Sequence, residues 1–275
     1  MKKGILFTTG LALLATAVLA LAITSTYQLE KIQDLVFDKT AYSRAYNEYN
    51  TIAKDVKDIV LNTSGLKIEV LENTVTFNEF IQNPSAATYQ STIDTYRSFA
   101  LNQTDNTQLQ LTTLRNNLLL EIQPHSINYT HSTVGGTDIL VQTPNVNMTN
   151  YSVTVVCSEN VSSCAWNIPD GDKGTRLEVN VIGDPGSCSG TYLVDPSQTS
   201  RLNVNSGGLT VEVKPGGWLT VENNFVTAVN VSTTLYLTAV TDNIIAVYIP
   251  DGAVITAYED YEIVKSGGIK IADGQ

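Results

Sequence analysis

Three patterns of apolar and polar positions follow one another along the chain. Residues 5–24 contain no charged side chain. Next, Leu29, Ile32, Leu35, Val36, Tyr42, Ala45, Tyr46, Tyr49, Ile52, Ala53, Val56, Ile59 and Val60 recur at steps of three and four. That spacing lays one apolar stripe along a helix. No Gly or Pro interrupts the chain between Leu11 and Asn62. One helix can therefore continue to about Leu61, roughly 80 Å in length at 1.5 Å per residue. Asn62-Thr63-Ser64-Gly65 supplies the stop. The tyrosines at 42, 46, 49 and 89 are expected in the core.

The third pattern is extended. Residues 66–70 and 75–78 alternate and read as a hairpin turning near Glu72-Asn73. Pro84, after Asn83 as cap, opens a second helix to about Leu101. Residues 108–117 suit helix and strand equally, and 118–122 read as a buried strand. After Gly135-Gly136, short strands are expected at 139–142, 152–157, 176–182, 209–214, 218–222, 233–240, 244–249 and 254–258. Turn residues punctuate them at Pro215-Gly216-Gly217, Asp251-Gly252 and Ser266-Gly267-Gly268. The expected class is α+β: a long N-terminal helix, transmembrane then amphipathic, a small α/β segment, and a mostly antiparallel β-sandwich or jelly-roll-like head. The expected divisions are 1–24, 25–62, 63–133 and 134–275.

The first 24 residues carry the strongest functional signal. Twenty uncharged residues span about 30 Å as a helix, the thickness of a bilayer core. Lys2 and Lys3 precede the run and no basic cluster follows it. The positive-inside rule then places the N-terminus in the cytoplasm and the bulk of the chain outside. Ala20-Leu21-Ala22 also fits a small-residue cleavage site, so a removable signal peptide and a secreted product form the rival reading. A stripe that continues for about ten turns favours retention of the helix.

Lys3-Gly4 directly before the apolar run, then a long amphipathic helix and a β-rich head, resembles the type IV pilins, above all archaeal pilin-like proteins with a class III signal peptide. The resemblance covers about 60 residues. It implies that a prepilin peptidase cuts after Gly4 on the cytoplasmic side, leaving Ile5 as the new N-terminus. It also implies self-association, or association with other pilin-like subunits. Many bacterial members carry Glu at the fifth mature position, where it helps subunits join the fibre. Here that position is Thr9. The expected function is a membrane-anchored cell-surface structural subunit, localised as a single-pass cell-membrane protein. The alternative is a monomeric surface-anchored adhesion or binding module.

Composition adds an exclusion. The chain has 275 residues, a net charge of −11 and only 16% charged residues. Nucleic acid is not an expected partner for so acidic a chain. Ser, Thr and Asn fill the place of charge, as on an exported surface. Glycosylation sequons lie at Asn62, Asn102, Asn128, Asn147, Asn150, Asn160 and Asn230. Outside the cell the three cysteines should form one disulfide and leave one thiol. Cys157 with Cys164 closes a short loop and is the expected pair. Cys188, in Gly186-Ser187-Cys188-Ser189-Gly190, lacks the strand-turn-helix context of a nucleophile elbow.

No catalytic constellation stands out, and neither an enzyme activity nor a cofactor is expected. His125 and His131 are the only histidines. On one strand they would share a face, but two ligands fall short of a structural zinc site. Asp170-Gly171-Asp172-Lys173-Gly174 has Lys173 where a calcium loop needs an oxygen ligand, so it reads as a tight turn.

Overall fold

The computed structural model describes residues 2–82, 86–103, 117–132, 136–140, 148–169, 175–195, 197–215, 218–238, 244–259 and 261–274. The apolar stripe does form one helix, α1 (Lys2–Thr63). Its end is built as the stop residues require. Ser64 N and Oγ both donate to the Val60 carbonyl, Leu66 N donates to Ser64 Oγ, and Gly65 takes φ 76°. Glycine adopts that left-handed conformation at no steric cost.

The hairpin β1 (Lys67–Leu71) and β2 (Thr74–Ile81) turns at Glu72-Asn73, and α2 (Ala86–Gln103) follows. Asn83 and Pro84, expected to start α2, lie outside the described residues, as do 108–116 and Gly216-Gly217. The chain continues through β3 (Asn117–Gln123), β4 (Ile127–Ser132), β5 (Gly136–Leu140), β6 (Met148–Val156), β7 (Cys164–Asn167) and β8 (Thr175–Ile182). Then come β9 (Ser187–Val194), β10 (Ser200–Val204), β11 (Leu209–Lys214), β12 (Trp218–Asn223), β13 (Val229–Leu237), β14 (Ala246–Glu259) and β15 (Tyr261–Asp273). The fold is thus α+β with mostly antiparallel sheets.

Two sheets result. One has six strands in the order β1-β2-β13-β6-β8-β9, and the other has nine in the order β15-β14-β3-β4-β5-β12-β11-β10-β7. β6 and β8 are parallel and the other neighbours antiparallel. Period-2 burial is clean in β2, β8 and β13, which turn apolar side chains to one side. These meet side chains of the second sheet: Phe77 of β2 stacks on Tyr129 of β4 with ring centroids 3.9 Å apart. Buried side chains from α1, α2 and both sheets form one hydrophobic cluster. The boundary expected near residue 134 is crossed by strand pairing, since β2 pairs with β13, β3 with β14 and β4 with β5.

Two expected turns are not turns. Asp251-Gly252 and Ser266-Gly267-Gly268 lie inside the long hairpin β14–β15. Ile249 pairs with Ile269 and Ala253 with Gly267, so Pro250, Asp251 and Gly252 stand opposite Gly268 alone. This is a bulge, and the turn-forming residues serve it: Pro250 has no N–H to leave unpaired, and a Cβ on Gly268 would meet the Ile249 carbonyl at 3.1 Å. The expected strands at 244–249 and 254–258 are thereby one strand.

Candidate functional site: the projecting helix

α1 changes character along its length. Every described side chain from Leu14 to Gln33 is exposed. Leu14, Val18, Leu19, Leu21 and Ile23 are 60–71% exposed, and Tyr27, Leu29 and Ile32 are exposed as well. From Tyr49 onward the stripe enters the head: Tyr49, Ile52, Val56 and Val60 are buried. The expectation that Tyr42, Tyr46, Tyr49 and Tyr89 belong to the core holds for the last two. Tyr42 and Tyr46 are exposed, because the helix has left the head before reaching them.

Named contacts anchor the helix. The Tyr49 hydroxyl donates to the Gly268 carbonyl at 3.3 Å, joining α1 to the β14–β15 hairpin. The Tyr96 hydroxyl of α2 donates to Asp55 Oδ2 at 3.0 Å. Burial, then the adjoining Asp55 carboxylate, pushes the Tyr96 phenol up. Along the projecting part, hydroxyls are satisfied within the helix. Thr24 donates to the Ala20 carbonyl at 2.8 Å, Thr26 to Ala22 at 2.9 Å and Ser25 to Ala22 at 3.0 Å. Such back-bonding removes the need for water at those groups.

The projecting surface is apolar and uncovered. Full burial of a Leu, Ile or Val side chain contributes about 1.5–3 kcal/mol. Five such residues at Leu14, Val18, Leu19, Leu21 and Ile23 thus hold on the order of 5–10 kcal/mol unrealised in water. An apolar surface of this kind marks a membrane or protein contact. Among the described residues no helix is long and apolar enough to cross a membrane. The described side chains of α1 begin at Leu14, so the first half of the uncharged run, with Gly4, Ile5 and Thr9, lies outside that statement.

A second polar feature is internal. Glu79 of β2 and His131 of β4 pair through Oε2 and Nδ1, and both side chains are wholly buried. They occupy the next inward positions after Phe77 and Tyr129. Burial, and then the Glu79 charge, holds the Tyr129 phenol well above the usual tyrosine range. Closed to solvent, the pair links one sheet to the other. His125 and His131 do not share a strand: His125 sits in the turn before β4, and His131 is buried within it. Burial lowers the His125 imidazole. Among the described residues no group of three or more His, Cys, Asp or Glu is placed to hold a metal. The Asp170–Gly174 loop lies outside the described residues.

The expected Cys157–Cys164 pair is corrected. Cys164 at the start of β7 bonds Cys188 of β9, with 6.4 Å between Cα atoms, and Cys157 is a buried free thiol. β7 and β9 are edge strands of different sheets, so this bond joins the sheets at one side. Cys157 follows β6 and is turned inward, its thiol against the Ile182 and Glu159 carbonyls. Cys188 was legible as a partner only through strand order, which no local spacing gives.

The described sequons differ. Asn62, Asn160 and Asn230 are exposed, and Asn128 and Asn150 are half-buried. The side chain of Asn102 and all of Asn147 lie outside the described residues. A broad hollow of about 920 Å³ is lined by Glu69–Thr74 and Asp273. Asp273 is there already paired with Lys270 at 2.8 Å. No protein-family model, curated protein or solved structure matches the chain.

Proposed function

We propose that the chain is a membrane-anchored structural subunit of the cell surface, pilin-like in design. The carrying observation is the division of α1: its large apolar side chains are exposed from Leu14 through Ile32, whereas Tyr49, Ile52, Val56 and Val60 are buried in the head. The uncharged run holds the bilayer with the N-terminus inside, and the small residues Thr8, Thr9, Gly10, Ala12, Ala15 and Ala17 let neighbouring helices approach closely. The leader is cut after Gly4, so that Ile5 becomes the N-terminus. The head stands outside as a β-sandwich. The Phe77–Tyr129 stack, the Glu79–His131 pair and the Cys164–Cys188 bond, each joining the two sheets, support that arrangement.

Intact-mass measurement and N-terminal sequencing of the native protein from its own membranes test this reading. A chain beginning at Ile5, with copies recovered together after cross-linking, is the expected result. A chain beginning at Met1 with no cross-linked copies refutes the pilin-like reading in favour of a simple stalk. A chain beginning at Ile23 refutes anchoring altogether.

A further inference from the structure

The outer face of the six-stranded sheet is built mostly of Ser, Thr and Asn, yet one row across it is apolar. Cα partners place Phe80 of β2 beside Asn230 of β13, Asn230 beside Val156 of β6, and Val156 beside Ile182 of β8. Phe80, Val156 and Ile182 are 44%, 43% and 40% exposed. Directly paired residues on one face hold their Cβ atoms about 5 Å apart. Asn230, itself exposed, therefore rises between an exposed aromatic ring and an exposed valine.

Asn230 also opens a sequon whose Ser232 lies on the same outer face, two residues on. The other described sequons are engaged or partly covered. Ser64, the hydroxyl residue of the Asn62 sequon, is wholly buried and donates to Val60. Ser162, of the Asn160 sequon, is held by Asn205 Oδ1, and the Asn205 amide in turn donates to the Asn160 carbonyl. The Asn150 side-chain oxygen is buried. Asn128 is half-buried. Among the described residues no hydrogen bond occupies the side chain of Asn230 or Ser232.

We propose that Asn230 is the principal N-glycosylation site of the head, and that its first sugar lies over Phe80 and Val156. The step is a group transfer. The Asn230 amide nitrogen bonds C1 of a sugar carried on a lipid-linked phosphate or diphosphate. The C1–O bond to phosphate breaks, the phosphate leaves with the electron pair, and the amide proton passes to base. The attached sugar then sets its C–H face on the Phe80 ring and covers apolar area that the strand leaves bare. This rests on the outward placement of the head.

The test is glycopeptide mass spectrometry on the full-length protein purified from its own membranes, with its N-terminus determined in the same sample. The expected result is a sugar-bearing Asn230 peptide with higher occupancy than any other described sequon. Asn230→Gln should lower the intact mass by one glycan. Phe80→Thr should lower the midpoint of thermal unfolding in the wild-type background and lose most of that effect in the Asn230→Gln background. A bare Asn230 peptide in a chain whose N-terminus is Ile5 overturns the inference while leaving the subunit reading in place. Equal effects of Phe80→Thr in both backgrounds overturn the placement of the sugar on the ring.

Discussion

Truncating α1 from its N-terminus should separate its two roles. Removing residues 1–33 deletes an exposed segment, since every described side chain from Leu14 to Gln33 lies outside the head. The stability of the head should change by about 0.5 kcal/mol or less, the size expected of surface changes. The product should be soluble without detergent. Removing residues 1–60 is different. It takes away Val56 and Val60, which are wholly buried, with Ile52 at 6% and Tyr49 at 9% exposure. At about 1.5–3 kcal/mol each, those four side chains contribute on the order of 6–12 kcal/mol. The bonds from Tyr49 to Gly268 and from Tyr96 to Asp55 go with them. A domain of this kind is stable by only about 5–15 kcal/mol, so the second truncation should not fold. Urea unfolding followed by the fluorescence of Trp166 and Trp218, with gel filtration, measures both. A folded 61–275 fragment, or an aggregated 34–275 fragment, would refute the assignment of Tyr49 as the point where packing begins.

Other parts of the head give further expectations. His131→Leu leaves the Glu79 carboxylate buried without its partner and should cost about 3–5 kcal/mol, whereas Glu79→Leu with His131→Leu should recover most of that loss; urea midpoints of the three variants decide it. Opening the Cys164–Cys188 bond, which spans 24 residues, should cost about 3 kcal/mol on loop entropy, read as the shift in urea unfolding with reductant. Cys157 should resist alkylation until the head unfolds, since it is buried and its thiol is pushed up by that burial. The buried phenols of Tyr89, Tyr129 and Tyr151 are all raised by burial from 10.0. Above pH 10 the unfolded chain releases protons that the native state keeps, so stability should be intact below pH 10 and fall above it. Each such group contributes about 1.4 kcal/mol per pH unit to the fall. Alkaline denaturation monitored by tyrosinate absorbance at fixed urea measures the slope.

The helix was legible because its stripe is long and the stop is local. Thirteen apolar positions and one Ser64-Gly65 signal lie within contiguous sequence, and no distant contact is needed to interpret them. Strands whose inward positions are all aliphatic were equally plain: the span expected for β11, 209–214, is the one observed. β4 was missed because its inward row is Ile127, Tyr129 and His131, and the last of these pays for burial with Glu79, 52 residues away. β9 is not legible because it is an edge strand whose inward row, Cys188, Gly190, Tyr192 and Val194, includes a glycine and is buried only at its last member. The bulge opposite Gly268 reads in the sequence as two turns because Pro, Asp and Gly serve both. The disulfide depended on which strands become edges, a property of the assembled sheets. The site shows the same division: the apolar surface of α1 was visible in the sequence, whereas the exposure of Tyr42 and Tyr46 depended on where the head ends.

The exposure of Tyr42 and Tyr46 bears on the choice between a stalk and a subunit. On the proposed anchoring, a bilayer of about 30 Å would cover roughly residues 5–24 of an upright helix. Tyr27, Leu29, Ile32, Tyr42 and Tyr46 fall beyond it, over about 30 Å more of helix, and all are exposed. A single copy would hold this surface in water between the membrane and the head. Copies packed side by side would bury it, and Leu29, Ile32, Tyr42 and Tyr46 belong to the stripe that the head covers from Tyr49 to Val60. The charged residues between, such as Arg44 with Glu48 at 3.1 Å and Lys31 over the Tyr27 ring at 5.0 Å, pair within their own helix. Thr9 supplies no carboxylate, so association in this chain would draw its free energy from that stripe and from close helix contact at the small residues.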